Sequence, residues 1–144
     1  MQVDFYQLSR DPIERVVPLL ATKVLDSGGR LLVVHGEAAQ RTSLSDALWA
    51  RANAFLANGE ATDSHAQHQP VLLSDGCTAP NGATVAILAD GEWREEATRF
   101  DRAILLFGPD QTTAARALWS VMSASGQTLR IFKQDEGGSW REGR

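Results

Sequence analysis

The sequence predicts an α/β fold: a single domain built on a mostly parallel sheet with helices on its faces. Arg30–His35 (RLLVVH) and Phe100–Phe107 (FDRAILLF) are near-continuous apolar runs, the mark of strands covered on both sides. Such strand-length runs alternate with segments of helical periodicity, an order that calls for parallel strands joined by helical crossovers. The length of 144 residues, with 43% hydrophobic and 22% charged side chains, suits one domain with a core of its own. Neither a repeat nor a linker interrupts it, so residues 1–144 read as one unit.

Val3–Leu8 reads as the first strand. Asp11-Pro12-Ile13-Glu14 then has the features of a helix start, with Asp as cap and Pro at the first helical position. Ile13, Val16, Val17, Leu20 and Val24 recur at helical spacing, and Gly28-Gly29 close the helix. Pro18 predicts a kink or a restart, because an interior proline loses a hydrogen bond and crowds the preceding turn. After the Arg30–His35 strand, Ser43-Leu44-Ser45-Asp46 resembles a capping box that opens a helix reaching to about Ala54. Leu56–Gln69 is polar and reads as a surface loop. Pro70–Leu73 and Thr84–Leu88 are short strands separated by a turn-rich stretch with Pro80-Asn81-Gly82. Gly108-Pro109-Asp110 begins a last helix that runs to Gly126, and Thr128–Gln134 forms a final strand. The tail from Asp135 is polar apart from Trp140 and is expected to fray.

Composition narrows the function classes. The net charge is −4, from 14 Lys and Arg against 18 Asp and Glu, and no basic stripe is visible. Binding to nucleic acid through phosphates draws on such a stripe, so direct binding is disfavoured. The single Cys77 has no internal disulfide partner, which fits a reducing compartment. No apolar run approaches the ~18 residues of a membrane span, and the N-terminus lacks the pattern of a secretion signal. A cytoplasmic protein is expected.

Catalytic signatures are sparse. There is no Walker-type phosphate loop, and Ser9-Arg10-Asp11-Pro12 after the first strand contains none of the glycines of a dinucleotide fingerprint. His65 and His68 with Cys77 have a conceivable zinc spacing but lack a fourth ligand. His35 ends a buried strand without an identifiable nucleophile, and Cys77 sits in a turn with no local basic partner. Asp90, Glu92, Glu95 and Glu96 read as a solvated acidic face. Neither a metal nor a cofactor is expected.

Interface chemistry is better represented. Four tryptophans (Trp49, Trp93, Trp119 and Trp140) are many for a small protein, and tryptophan is a favoured interface anchor. Thr112, Arg116, Trp119 and Ser120 fall on one face of the last helix. Arg beside an aromatic suits a carboxylate next to an apolar group. The other reading of the same spacing places Trp119 in the core and leaves Arg116 solvated.

The chain resembles the chi subunit family of bacterial DNA polymerase III. The resemblance is carried by Asp4-Phe5-Tyr6 with Leu8, Gly28-Gly29-Arg30, Asp46-Ala47-Leu48-Trp49 with Phe55, and Gln69-Pro70-Val71-Leu72-Leu73-Ser74. It continues through Asn81-Gly82-Ala83, Phe100-Asp101-Arg102 and the Lys133–Trp140 stretch (KQDEGGSW). It implies a fold reminiscent of nucleotide-binding domains without a nucleotide site. It also implies a non-catalytic role: tethering the clamp-loader assembly to the acidic C-terminal tail of single-stranded DNA-binding protein. Arg116 then matches the family's tail-binding arginine and Trp119 its neighbouring aromatic, while Ser120 and Thr112 stand where other members carry lysines. Trp49 and Phe55 match aromatics on the surface that faces the psi subunit. Two functions of other classes compete: a small nucleotide-dependent or hydrolytic α/β enzyme, and a direct single-strand binder that stacks bases on tryptophans.

Overall fold

A computed structural model of the chain describes residues 1–51 and 56–143. Strands β1 (Gln2–Gln7), β2 (Leu31–Val34), β3 (Asn58–Glu60), β4 (Val71–Ser74), β5 (Val85–Leu88), β6 (Arg102–Phe107), β7 (Thr128–Gln134) and β8 (Trp140–Glu142) form one sheet in the order β3-β4-β2-β5-β6-β1-β7-β8. Every neighbouring pair is parallel except β7 and β8. Helices α1 (Ile13–Asp26) and α2 (Ala38–Ala50) cover one face, and α3 (Thr112–Ala124) covers part of the other. The expected α/β architecture is the observed one.

Strand alternation divides the core into two layers. Leu31, Val33, Val71, Leu73, Ile87, Ile104 and Leu106 pack toward α1 and α2. Phe5, Leu32, Val34, Leu72, Leu88, Leu105 and Phe107 pack toward the opposite face with Ala115 and Met122 of α3. All four residues of β2 are buried, as its unbroken apolar run requires.

Several local expectations change. α1 runs unbroken from Ile13 to Asp26 through the buried Pro18, so the helix does not restart there. Its cap is Pro12 without a side-chain hydrogen bond, and the Asp11 carboxylate instead accepts from Gln134 Nε2 at 2.6 Å. Gly28 closes α1 with φ +85°, a conformation that favours glycine. α2 begins at Ala38, five residues before the apparent capping box at Ser43. Ser43 therefore lies inside α2 and caps nothing, while the Ser45 hydroxyl donates to Asn58 Oδ1 at 2.6 Å and joins α2 to β3.

The stretch expected to be a surface loop contains edge strand β3 and a 3₁₀ turn at Ala66–His68. The tail expected to fray forms β8, in antiparallel register with β7 through Gln134↔Trp140 and Phe132↔Glu142. Trp140 anchors it by meeting the Tyr6 ring edge-on at 5.1 Å, and Tyr6 in turn stacks on Phe132 at 4.6 Å.

Among the described residues, one carboxylate lies within the core. Asp4 is fully buried, and its carboxylate accepts from Arg102 Nε at 2.8 Å and from Gln2 Nε2 at 2.9 Å. Arg102 begins β6 beside β1, so the parallel pairing of these two strands brings the guanidinium to the carboxylate.

Candidate functional site

α3 packs on one face of the sheet, and a groove of about 480 Å³ opens along one of its flanks over the C-terminal halves of β1, β6 and β7. Its floor follows from strand register. Phe5 aligns with Leu105 and Ile131, and Gln7 with Phe107 and Lys133, so all six side chains point to the α3 face of the sheet. Phe5, Gln7, Phe107, Ile131 and Lys133 line the groove from below, and Thr112, Ala115, Arg116, Trp119 and Ser120 line it from the helix.

The four residues assigned to this face from sequence are thus brought together. Trp119 is half-buried and packs edge-on against Phe5, with ring centroids 5.1 Å apart. It is therefore both a packing residue and a groove wall, which reconciles the two readings of its spacing. Arg116 is exposed beside it. The Ser120 hydroxyl donates to the Arg116 carbonyl at 3.2 Å and that of Thr112 to the Pro109 carbonyl at 3.0 Å, so both hydroxyls serve the local backbone.

Sequence reasoning missed Lys133 at this site. The signal was available: alternation along Thr128–Gln134 puts Lys133 on the side of Leu129 and Ile131, but only the pairing with Gln7 brings it beside α3. Among the described residues, neither Arg116 nor Lys133 makes an ion pair, and no carboxylate lines the groove. Two uncommitted cations above an aromatic floor stand out in a chain of net charge −4. Such a site suits a carboxylate joined to an apolar group.

The crevice where related folds hold nucleotides has the opposite polarity. Crossovers from β1 and β6 leave on opposite faces, so the carboxyl ends of these adjacent strands form a topological switch point. The crevice there is lined by Leu8, Glu14, His35, Glu37, Glu92 and Gly108, among others. Glu14 lies in the first turn of α1 and Glu37 is the residue that precedes α2, without a side-chain capping bond, so acidic residues border both helix starts where a phosphate would be received. His35 Nδ1 accepts the Glu37 amide hydrogen at 3.0 Å, a local structural bond.

Other candidates also receive structural roles. Asp90 is not part of a solvated acidic face. Its carboxylate takes both Arg94 Nη atoms at 2.8 and 2.9 Å and the amides of Gly36 and Glu92, tying the end of β2 to that of β5. Burial alone would raise its pKa, but these hydrogen bonds outweigh it and hold the carboxyl below its ordinary value of 3.8. Cys77 does have basic neighbours, Arg94 and Arg99, yet burial prevails and pushes the thiol up, away from reactivity. Among the described residues, no three His, Cys, Asp or Glu side chains gather where they could hold a metal, and no helix is long and apolar enough to cross a membrane.

The aromatic assigned from sequence to a second surface lies on α2. Trp49 is 60% exposed while Leu48 beside it is fully buried, so the helix turns one toward solvent and the other into the core. A shallow groove lined by Pro12, Arg15, Pro18, Ala47, Ala50 and Arg51 runs between α1 and α2 nearby. Phe55, paired with Trp49 in the sequence reading, lies outside the described residues.

No curated protein matches the chain. The family described as DNA polymerase III chi subunit, HolC, matches residues 1–130, a span that includes Trp49, Thr112, Arg116, Trp119 and Ser120 and stops short of Lys133 and β8. With all but the last strand and the end of β7 inside that match, the chain belongs to the DNA polymerase III chi subunit family, an accessory subunit family of the replicative polymerase.

Proposed function

We propose that this protein tethers the clamp-loader assembly of DNA polymerase III to the C-terminal tail of single-stranded DNA-binding protein, and that the α3 groove is where the tail is held. The observation that carries this reading is the uncommitted cation pair, Arg116 and Lys133, beside the aromatic wall of Trp119 and Phe5. Arg116 receives the terminal carboxylate and the apolar floor receives the last side chain, a mode of C-terminal capture. Trp49 belongs to the surface that meets the psi subunit where the host has one. The protein acts without catalysis and without touching DNA itself, in the cytoplasm.

The acidic switch-point crevice supports the non-catalytic reading over a nucleotide-dependent or hydrolytic enzyme, since Glu14, Glu37 and Glu92 would repel a phosphate. A calorimetric titration with single-stranded DNA-binding protein, intact and lacking its last few residues, tests the proposal. Binding by the intact protein alone, with no signal from ATP, NAD or oligonucleotide, is expected. Equal binding by the truncated protein refutes tail capture, and saturable ATP binding revives the enzyme.

A further inference from the structure

α3 has a second flank. At about 100° per residue, Arg116 and Trp119 fall on one side of buried Ala115, and Ala114, Leu118 and Val121 on the other. That other side borders a separate groove of about 660 Å³ between α3 and the segment that carries Trp93. Val121 is 67% exposed, the more exposed of the two large hydrophobics that stand out in solvent among the described residues. With Ala114, Ala117 and Leu118 it gives this flank of the helix an apolar face. The charged residues of the groove are Glu92, Glu95 and Asp110, and no Lys or Arg lines it. One helix therefore separates a cationic groove from an anionic one.

We infer that this second groove docks an amphipathic helix of a partner protein, with an apolar ridge flanked by Lys or Arg. Ala114, Ala117, Leu118 and Val121 follow the i, i+3, i+4, i+7 spacing that accepts the ridge of another helix, and the two alanines permit close approach. The three carboxylates select the basic partner and exclude an acidic tail. The inference does not depend on tail capture, because the two grooves share only buried Ala115.

Fluorescence anisotropy with the full chain tests it. Two labelled helical peptides are used, sharing one leucine ridge at i, i+3, i+4 and i+7 but flanked by lysines in one and by glutamates in the other. The lysine peptide should saturate and bind roughly tenfold more tightly than the glutamate peptide, about 1.4 kcal/mol. Val121→Arg should abolish this binding with an unchanged melting temperature, and Glu95→Lys should weaken it several-fold. Absence of saturable binding, equal affinity for the two peptides, or undiminished binding by Val121→Arg overturns the inference. So does sedimentation showing a dimer that Val121→Arg dissociates, since a second copy would then be the occupant. Tail binding by Arg116→Ala, measured alongside, fails or holds separately.

Discussion

Replacing Arg116 by alanine removes one of the two cations of the α3 groove without touching its floor. A charge-assisted hydrogen bond contributes roughly 1.5–3 kcal/mol, and exposure of the guanidinium favours the lower end. About 1.5 kcal/mol corresponds to a loss of roughly tenfold in affinity for the tail peptide. Lys133 is also exposed and lacks the planar fork, so Lys133→Ala should cost about 0.5–1 kcal/mol, a few-fold. Since both cations would act on one carboxylate, the double variant should lose less than the sum. Ser120→Lys adds a charge one turn beyond Arg116. It should tighten binding and steepen its decline with salt, because the Ser120 hydroxyl it removes serves only the helix backbone. Anisotropy titrations of a labelled tail peptide at low and high salt measure all four variants. If Arg116→Ala and Lys133→Ala each change affinity less than twofold and Ser120→Lys gives no gain, the groove does not hold the carboxylate.

Three further outcomes concern stability and the second surface. Arg102→Met should cost about 3 kcal/mol in urea unfolding, because Asp4 stays fully buried with Gln2 as its remaining side-chain partner. A loss below about 1 kcal/mol would contradict that account of the core charge. The Asp90 carboxyl is held below 3.8, so its stabilising contribution is complete above that ordinary value and disappears as pH falls through the lower folded value. Asp90→Asn should therefore lower stability at neutral pH and flatten its loss in acid, and parallel pH profiles for variant and wild type would refute this. Trp49→Ala should cost less than about 1 kcal/mol while weakening a psi-type partner, whereas a loss of about 3–5 kcal/mol would mark a core aromatic.

The central strands were legible because burial on both faces leaves a continuous apolar run, as at Leu31–Val34 and Ala103–Phe107. The edges were not. Asn58–Glu60 is a three-residue polar strand with only Asn58 buried, and Trp140–Glu142 pairs along one side, so neither has the hydrophobic pattern that reveals a strand. The box at Ser43–Asp46 misled for a physical reason: the same S-x-x-D spacing occurs inside a helix, and α2 has already begun at Ala38, so Ser43 and Asp46 both lie within it. Arg116 and Trp119 were legible because they share one helix and its fixed period. Lys133 was not, because its place at the groove comes from pairing of β7 with β1, between segments far apart in the chain.

Amide chemical-shift mapping with a synthetic peptide of the tail of single-stranded DNA-binding protein tests the central claim most directly. Saturable shifts should concentrate at Phe5, Gln7, Arg116 and Lys133 and at the Trp119 indole N–H, with the Glu14, Glu37 and Glu92 crevice and Trp49 undisturbed. Shifts centred on that crevice or on Trp49, with the α3 groove silent, would contradict it.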